Sequence, residues 1–511
     1  MDLGQMLYQT SKRWPNKLAI IQDDVALTYD KWNREVNKVS QMLRSIGIKK
    51  GDRIATFMYN SWEYVTICLG TQKIGAVLVP LNYRLSAEEI KLILNDCEAK
   101  VLIFDSELAE PVSLCKGALT SIEHFVYVGE QTVNIPKGSA SLPSILTGIG
   151  TAEPGVEVAD EDLSIIMYTS GTTGLPKGIM LNHQHQWINT MSCALEMGFT
   201  CFDRTLHIAP LYHVAAYHVF FLPHLLVGGT NIILQRFDPK RVFELIERNR
   251  VTTLLAVPTQ YDLLAAGRQE FDLSSLRLVA TTGAPIKFKT VEWVRANVCQ
   301  KMWNVYGLTE STSLITILSP DEFKRMGEVN CIGRAFLNME VRLVPPNDPS
   351  PDNEVPEGTP GLLITRGPKL MLGIYKDNAK TAESMKEGWL YTGDIARKDS
   401  DGYYYLVDRQ KDMIISGGEN IFPQEVERVL DTHPGVLESA VVGVPDPKWG
   451  ELVKAFIVAK ADNVTSEDIE RYCLEGGRLA RYKRPRIIEF VREIPKTPSG
   501  KILRRMLKTP K

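Results

Sequence analysis

Through residues 27–104, apolar runs of strand length alternate with segments of helical spacing, and no other feature restricts the possible fold as much. Residues 27–46 carry largely helical spacing with no Gly or Pro, until Gly47 and Gly51 stop it. An apolar run follows at 53–58, helical spacing at 62–73, a strand at 76–79 that ends at Pro80, and a further strand at 101–104. Between the last two, Ser86-Ala-Glu-Glu89 reads as a capping box opening a helix to Asp96. Strands separated by helices imply right-handed crossovers, with parallel strands and helices on the sheet faces.

Residues 138–160, rich in Gly, Pro, Ser and Ala, read as a connection, after which a second such series runs through 230–234, 242–249, 253–257 and 276–281. From 334 to 394 the pattern becomes short strands broken by Gly and Pro, which suits a small barrel or distorted sheet. A last segment, starting near Asp408, has its own strand (439–444), helix (466–474) and strand (486–491). A chain of 511 residues exceeds what one core serves. The expected class is therefore α/β: a large multi-layer N-terminal domain of parallel-sheet subdomains plus a small barrel (1–408), then a small mobile α+β C-terminal domain (409–511).

Charge excludes some partners. The 59 Lys and Arg against 61 Asp and Glu leave a net charge of -2, which gives no general pull toward nucleic acid or an anionic membrane. The eight cysteines are scattered with no CxxC pair, as expected of reduced thiols in a cytoplasmic protein. The N-terminus lacks the apolar stretch of a signal peptide, and the most apolar run, 218–227, is short and broken by Pro223, so no integral membrane segment is expected. Any phosphate-bearing ligand must be held by a local device.

That device is Tyr168-Thr-Ser-Gly-Thr-Thr-Gly-Leu-Pro-Lys-Gly178, which follows the apolar strand 163–167. Glycines let a loop expose successive backbone N–H groups, hydroxyls add donors and Lys177 adds positive charge, a combination that suits a polyphosphate. The spacing differs from a Walker A loop, because Lys177 lies three residues after Gly174 and precedes Gly178.

The string resembles the signature loop of the adenylate-forming superfamily, which includes acyl- and aryl-CoA synthetases, luciferases and peptide-synthetase adenylation domains. The resemblance runs from about Thr28 to Arg505, with further motifs in the family's order. It implies that Thr169, Ser170, Gly171, Thr172, Thr173, Gly174 and Lys177 bind ATP. It gives adenine contacts to Thr282-Gly283-Ala284-Pro285 and Tyr306, ribose contacts to Asp394 of Tyr391-Thr-Gly-Asp394, ribose or phosphate contacts to Arg409, and ATP contacts to Asn304 and Gly307. Thr309 would touch the phosphates and Glu310 would hold Mg²⁺, a hard cation suited to a carboxylate. Lys501, in Pro495-Lys-Thr-Pro-Ser-Gly-Lys501, looks like the catalytic lysine that bridges substrate carboxylate and α-phosphate. Its context also implies a lysine acetyltransferase as a partner, since acetylation removes the charge.

Pro210-Leu-Tyr-His213-Val-Ala-Ala216 resembles the acyl-pocket wall of CoA ligases, with His213 near the carboxylate. Val214, Ala215, Val257, Thr259, Gly283, Gly307 and Leu308 complete an apolar, partly small lining suited to a hydrocarbon or aromatic acid. Relatives that activate amino acids carry an aspartate in the 210–221 stretch, which has no acid here. For coenzyme A the resemblance implies Ser416, Gly417, Gly418, Glu419, Trp449, Arg481 and Lys483, with Arg484 in the same basic cluster. Lys411 stands at the family's hinge. Rotation there would alternate Lys501 and the Gly417–Gly418 side at one reaction centre. The implied function is an ATP-dependent carboxylic acid–CoA ligase on a fatty or aromatic acid. An acyl-AMP ligase loading a carrier protein, a luciferase-like oxygenase and a non-catalytic nucleotide- or acyl-binding relative are alternatives, and a homodimer is common among relatives.

Overall fold

The computed structural model describes residues 1–170, 176–267, 270–327, 330–417, 419–460, 464–475, 478–496 and 502–508. The chain forms two compact units, one of 1–323, 335–340 and 366–390, the other of 324–334, 341–365 and 391–511. The α/β class holds, with parallel sheets in the first unit and a small sheet near the C-terminus.

In the first unit, one sheet has eight strands in the order Gly373–Ile374, Pro176–Asn182, Leu163–Ser170, Val77–Pro80, Arg53–Phe57, Val101–Asp105, His124–Val128, Ala140–Ser141. From Leu163–Ser170 onward the neighbours are parallel, as the crossovers require. Ser86 caps the helix Ala87–Cys97 in the expected capping box, and that helix packs Ile90, Ile93 and Leu94 into a core shared with Phe57 and Phe104. The segment read as one helix from residue 27 divides instead. Val25–Thr28 is a strand paired with Leu18–Gln22, and the helix Tyr29–Ser45 starts with Thr28 as its N-cap. Asp23 takes a left-handed φ of 46° that turns the chain between those two strands, a local signal that apolar periodicity does not carry. The helix then buries Tyr29, Trp32, Val36 and Leu43.

A second sheet in this unit places Arg204–His207, Thr253–Ala256, Leu278–Thr281 and Met302–Leu308 side by side and parallel. Ser313–Leu318 then returns antiparallel to Met302–Leu308. In the second unit residues 394–398 pair antiparallel with Tyr404–Arg409, and a five-stranded sheet is built on the long hairpin Val436–Asp446 and Gly450–Ala459. The strand at 439–444 is thus longer than the sequence suggests, and its partner went unread: residues such as Glu438 and Lys454 interrupt apolarity without interrupting the ladder. The helix Pro423–Asp431 buries Val426 and Leu430 with Ile414, Val441 and Ile457.

The eight cysteines are free, seven of them buried and Cys201 half-buried. Among the described residues no helix is long and apolar enough to cross a membrane.

Candidate active site

The strands Leu163–Ser170 and Pro176–Asn182 form an antiparallel hairpin with Thr169 opposite Lys177 and Tyr168 opposite Gly178. Opposed residues share a face, so Thr169 and Lys177 project to one side and Tyr168 to the other. The strand runs three residues beyond the apolar stretch that marks it in sequence, because threonine sustains a ladder without being apolar. Gly178 answers a steric demand: a Cβ there would lie 2.8 Å from Ile166 Cγ2 and 3.1 Å from Tyr168 Cζ. The Tyr168 hydroxyl donates to the Asp96 carboxylate, and burial pushes its pKa up, so it stays protonated. Gly171, Thr172, Thr173 and Gly174 lie outside the described residues, as does the side chain of Ser170.

Four expected segments follow the C-terminal ends of the four adjacent parallel strands, where open α/β sheets bind ligands. Gly283 has φ +87°, a turn conformation that glycine adopts without strain; Ala284 is half-buried and Pro285 exposed. Before it the Thr281 hydroxyl is buried with no hydrogen-bond partner among the described residues, and Asn304 stands opposite Thr281 in register. Val257 caps the helix Pro258–Ala266, whose Thr259 is exposed.

His213 is exposed and caps a short turn. Its Nδ1 accepts a hydrogen bond from the Ala215 N–H at 3.2 Å, so the neutral ring carries its proton on Nε2. Val214 is buried and Ala215 half-buried. Tyr212 meets Tyr83 edge-on at 5.6 Å, and Tyr83 meets Tyr59 at 4.9 Å, an aromatic cluster that sequence spacing could not assemble.

The strand Met302–Leu308 bulges between Tyr306 and Gly307 before the turn Thr309–Ser311. A Cβ on Gly307 would sit 1.7 Å from the Ser313 carbonyl oxygen, so only glycine fits. Thr312 and Ser313 then have φ of 49° and 95°, strain of about 1–3 kcal/mol each for residues with side chains. Tyr306 is buried, while Leu308, Thr309 and Glu310 are half-buried. Among the described residues no three His, Cys, Asp or Glu cluster to cage a metal. A lone carboxylate suits Mg²⁺, which takes its remaining ligands from water and phosphate.

The stretch 369–375 joins this turn to the hairpin. Met371 N–H donates to the Glu310 carbonyl (2.8 Å), Leu372 N–H to Met180 (2.9 Å) and Tyr375 N–H to Gly178 (2.7 Å), while the Thr312 hydroxyl donates to the Lys369 carbonyl (2.6 Å). The structure thereby brings the Thr169–Lys177 pair and Glu310 into one framework. Within it Lys369 is fully buried, its Nζ donating to Leu314 O (2.6 Å), Asn189 Oδ1 (3.0 Å) and Ser311 O (3.4 Å). Burial pushes its pKa down to about 7. Sequence reasoning missed it; the one signal was a lysine directly before the apolar run Leu370-Met-Leu-Gly-Ile374.

In the second unit, Asp394 is buried and accepts from Arg409 Nε at 2.9 Å, joining two expected ribose-side residues. Gly393 has φ +73°, and the Thr392 hydroxyl fixes the turn by donating to Leu363 O at 2.7 Å. Ser416 stands opposite Glu419, and Gly417 N–H donates to Trp449 O at 2.7 Å, with φ +62°. Gly417 and Trp449 therefore meet. Lys411 and Arg481 are exposed. Lys483 donates to both Glu425 carboxylate oxygens (2.7 and 2.8 Å) and Arg484 to Glu470 (2.6 Å), so this cluster is largely neutralised. Gly418 and Lys501 lie outside the described residues.

A hairpin with Thr and Lys across its open end, tied to a half-buried carboxylate at the mouth of a parallel sheet, defines a class. The AMP-binding enzyme family matches residues 7–375 and the AMP-binding enzyme C-terminal domain matches 425–501. The chain belongs to this family, the adenylate-forming enzymes. Within it the chain falls among the acyl-CoA synthetases. It is 37% identical over 98% of its length to a feruloyl-CoA synthase of Amycolatopsis sp, covering 97% of that protein. It is 35% identical to the long-chain-fatty-acid–CoA ligase FadD13 of Mycobacterium tuberculosis, with 99% of this chain and 98% of that one aligned. A solved structure of O-succinylbenzoate coenzyme A synthetase from Bacillus subtilis, in complex with ATP and magnesium ion, superposes with a TM-score of 0.85. It is 28% identical, and the match covers 98% of each chain.

Proposed function

We propose that this enzyme uses ATP and Mg²⁺ to convert a fatty or aromatic carboxylic acid into its acyl-adenylate, then passes the acyl group to coenzyme A. The observation that carries the reading is the 369–375 stretch, which holds the hairpin bearing Thr169 and Lys177 against the turn bearing Glu310. Lys177 and the loop it closes would take the triphosphate. Glu310 would hold Mg²⁺, which supplies neutralisation of charge as pyrophosphate leaves. Asn304, Tyr306 and the Gly283 turn would receive adenine, and Asp394, steadied by Arg409, would accept from the ribose hydroxyls.

Lys501 would stabilise the charge that builds as the substrate carboxylate oxygen attacks the α-phosphorus, the P–O bond to pyrophosphate breaking as the new one forms. The coenzyme A thiol then attacks the acyl carbon and AMP leaves. His213, with its proton on Nε2, would meet the carboxylate at the wall formed by Val214, Ala215, Val257, Thr259, Gly307 and Leu308. Ser416, Gly417, Gly418, Glu419, Trp449, Arg481 and Lys483 would serve the coenzyme A side, reached by rotation at Lys411 between domains 1–408 and 409–511. The same reading gives a cytoplasmic enzyme, a homodimer, and silencing by acetylation of Lys501.

The test is Lys501→Ala with ATP–pyrophosphate exchange as the readout, on aromatic and fatty acids in turn. Exchange should fall about 10²–10³-fold, and wild-type product should require coenzyme A. An alanine variant that exchanges at the full rate refutes the reading. Product formed on a carrier protein with none on coenzyme A favours the carrier-loading alternative.

A further inference from the structure

We propose that Arg504 is the positioning residue for the C-terminal lysine loop, a half-buried guanidinium that fixes the base of the Lys501 segment to the hinge turn. The proposal rests on the role given to Lys501 above. Arg504 begins the short helix Arg504–Lys508, three residues beyond Lys501. Its Nη2 donates to both carboxylate oxygens of Glu427, each at 2.7 Å, and its Nε donates to the Val441 carbonyl at 3.2 Å. Glu427 is held in turn by the Val441 N–H at 2.7 Å. Arg504 Nη1 lies 3.8 Å from Asp412, which belongs to the turn Gln410–Asp412 that contains Lys411.

The base of the loop is closed on both sides. Lys496 and Ile502 form an antiparallel bridge, and Leu503 N–H donates to Pro495 O at 2.8 Å. The first leg is tied to the strand Val436–Asp446 by an ion pair between Lys496 and Glu438. The second is tied to the same strand and to the helix Pro423–Asp431 by Arg504 alone among the charged residues described. Ile502 and Leu507 pack on Ala440, Val442 and Phe456 and exclude water from one side of this joint.

The charge balance makes the guanidinium hard to replace. Asp408, Asp412 and Glu427 all lie in its field, and Asp408 also accepts the N–H of Gln424 at the start of that helix. Hinge acids and lysine loop are thus referred to one cation. A planar guanidinium that holds the Glu427 carboxylate through Nη2 and the Val441 carbonyl through Nε fixes direction as well as distance, and a lysine's single nitrogen lacks that spread of donors. A reacting cation displaced by about an ångström loses rate steeply, whereas on the alternation proposed above thioester formation would make no demand on Lys501.

The experiment uses full-length Arg504→Lys and Glu427→Gln beside Lys501→Ala. It measures ATP–pyrophosphate exchange and, separately, thioester formation from presynthesised acyl-adenylate and coenzyme A. Arg504→Lys and Glu427→Gln should each lower exchange about tenfold or more while the thioester step stays close to wild type. A general loss of folding would lower both half-reactions together, and that outcome overturns the proposal, as does full exchange in both variants. Full exchange in Lys501→Ala would instead remove the role of Lys501 itself. With Lys501→Ala inactive, an unaffected Arg504→Lys counts against Arg504 alone.

Discussion

Replacing Lys369 by Met should change how stability depends on pH, because the ammonium is buried with only neutral partners. Its hydrogen bonds go to Asn189 and to the carbonyls of Ser311 and Leu314. The titratable groups facing it are Cys193, whose thiol burial pushes up to about 12, and His218, whose ring burial pushes down to about 3. Neither changes charge between pH 7 and 9. Lys369, pushed down by burial to about 7 from an ordinary 10.5, does change charge in that window. The folded chain then binds fewer protons than the unfolded chain between pH 7 and 10.5, so stability rises with pH across that range. Below pH 7 the full cost of a charged lysine in the core is present. With a folded pKa near 7, the gain from pH 7 to pH 9 is about 2 kcal/mol. Urea unfolding of wild type and Lys369→Met at pH 7, 8 and 9 isolates this term, since every other titration cancels in the difference. The wild type should gain about 2 kcal/mol on the variant over the two pH units. Parallel pH profiles for the two proteins would refute the argument.

Two further outcomes follow from the same physical picture. Gly307→Ala forces a Cβ to within 1.7 Å of the Ser313 carbonyl oxygen, so the Glu310 turn must shift. Stability should drop by about 3 kcal/mol or more by denaturant unfolding, and pyrophosphate exchange should be lost with it. Lys411→Pro restricts the backbone at the proposed hinge and should leave exchange partly intact while suppressing thioester release. Equal loss of both half-reactions would contradict the alternation.

The sequence carried the class of fold and the motifs because both are local. Alternating apolar runs marked the parallel strands, and glycine-rich strings marked where loops leave them. The framework between motifs was not local. Lys369 meets Asn189 across 180 residues of chain, and its neighbours in sequence read as an ordinary apolar run. The hairpin that carries Lys177 was obscured because the glycines that make the loop useful also erase strand periodicity around it. Likewise the ion pair between Lys483 and Glu425 links positions 58 residues apart, so a cluster that reads as free positive charge is largely compensated.

The pairing of Thr169 with Lys177 limits how this loop can change over evolutionary time. A single-residue insertion in the strand Pro176–Asn182 after Gly178 would invert the alternation, turning Lys177 toward the side that Tyr168 occupies and moving Gly178 from the place where it leaves room for a ring. Descendants of this chain are therefore bound in the phase of these two stems.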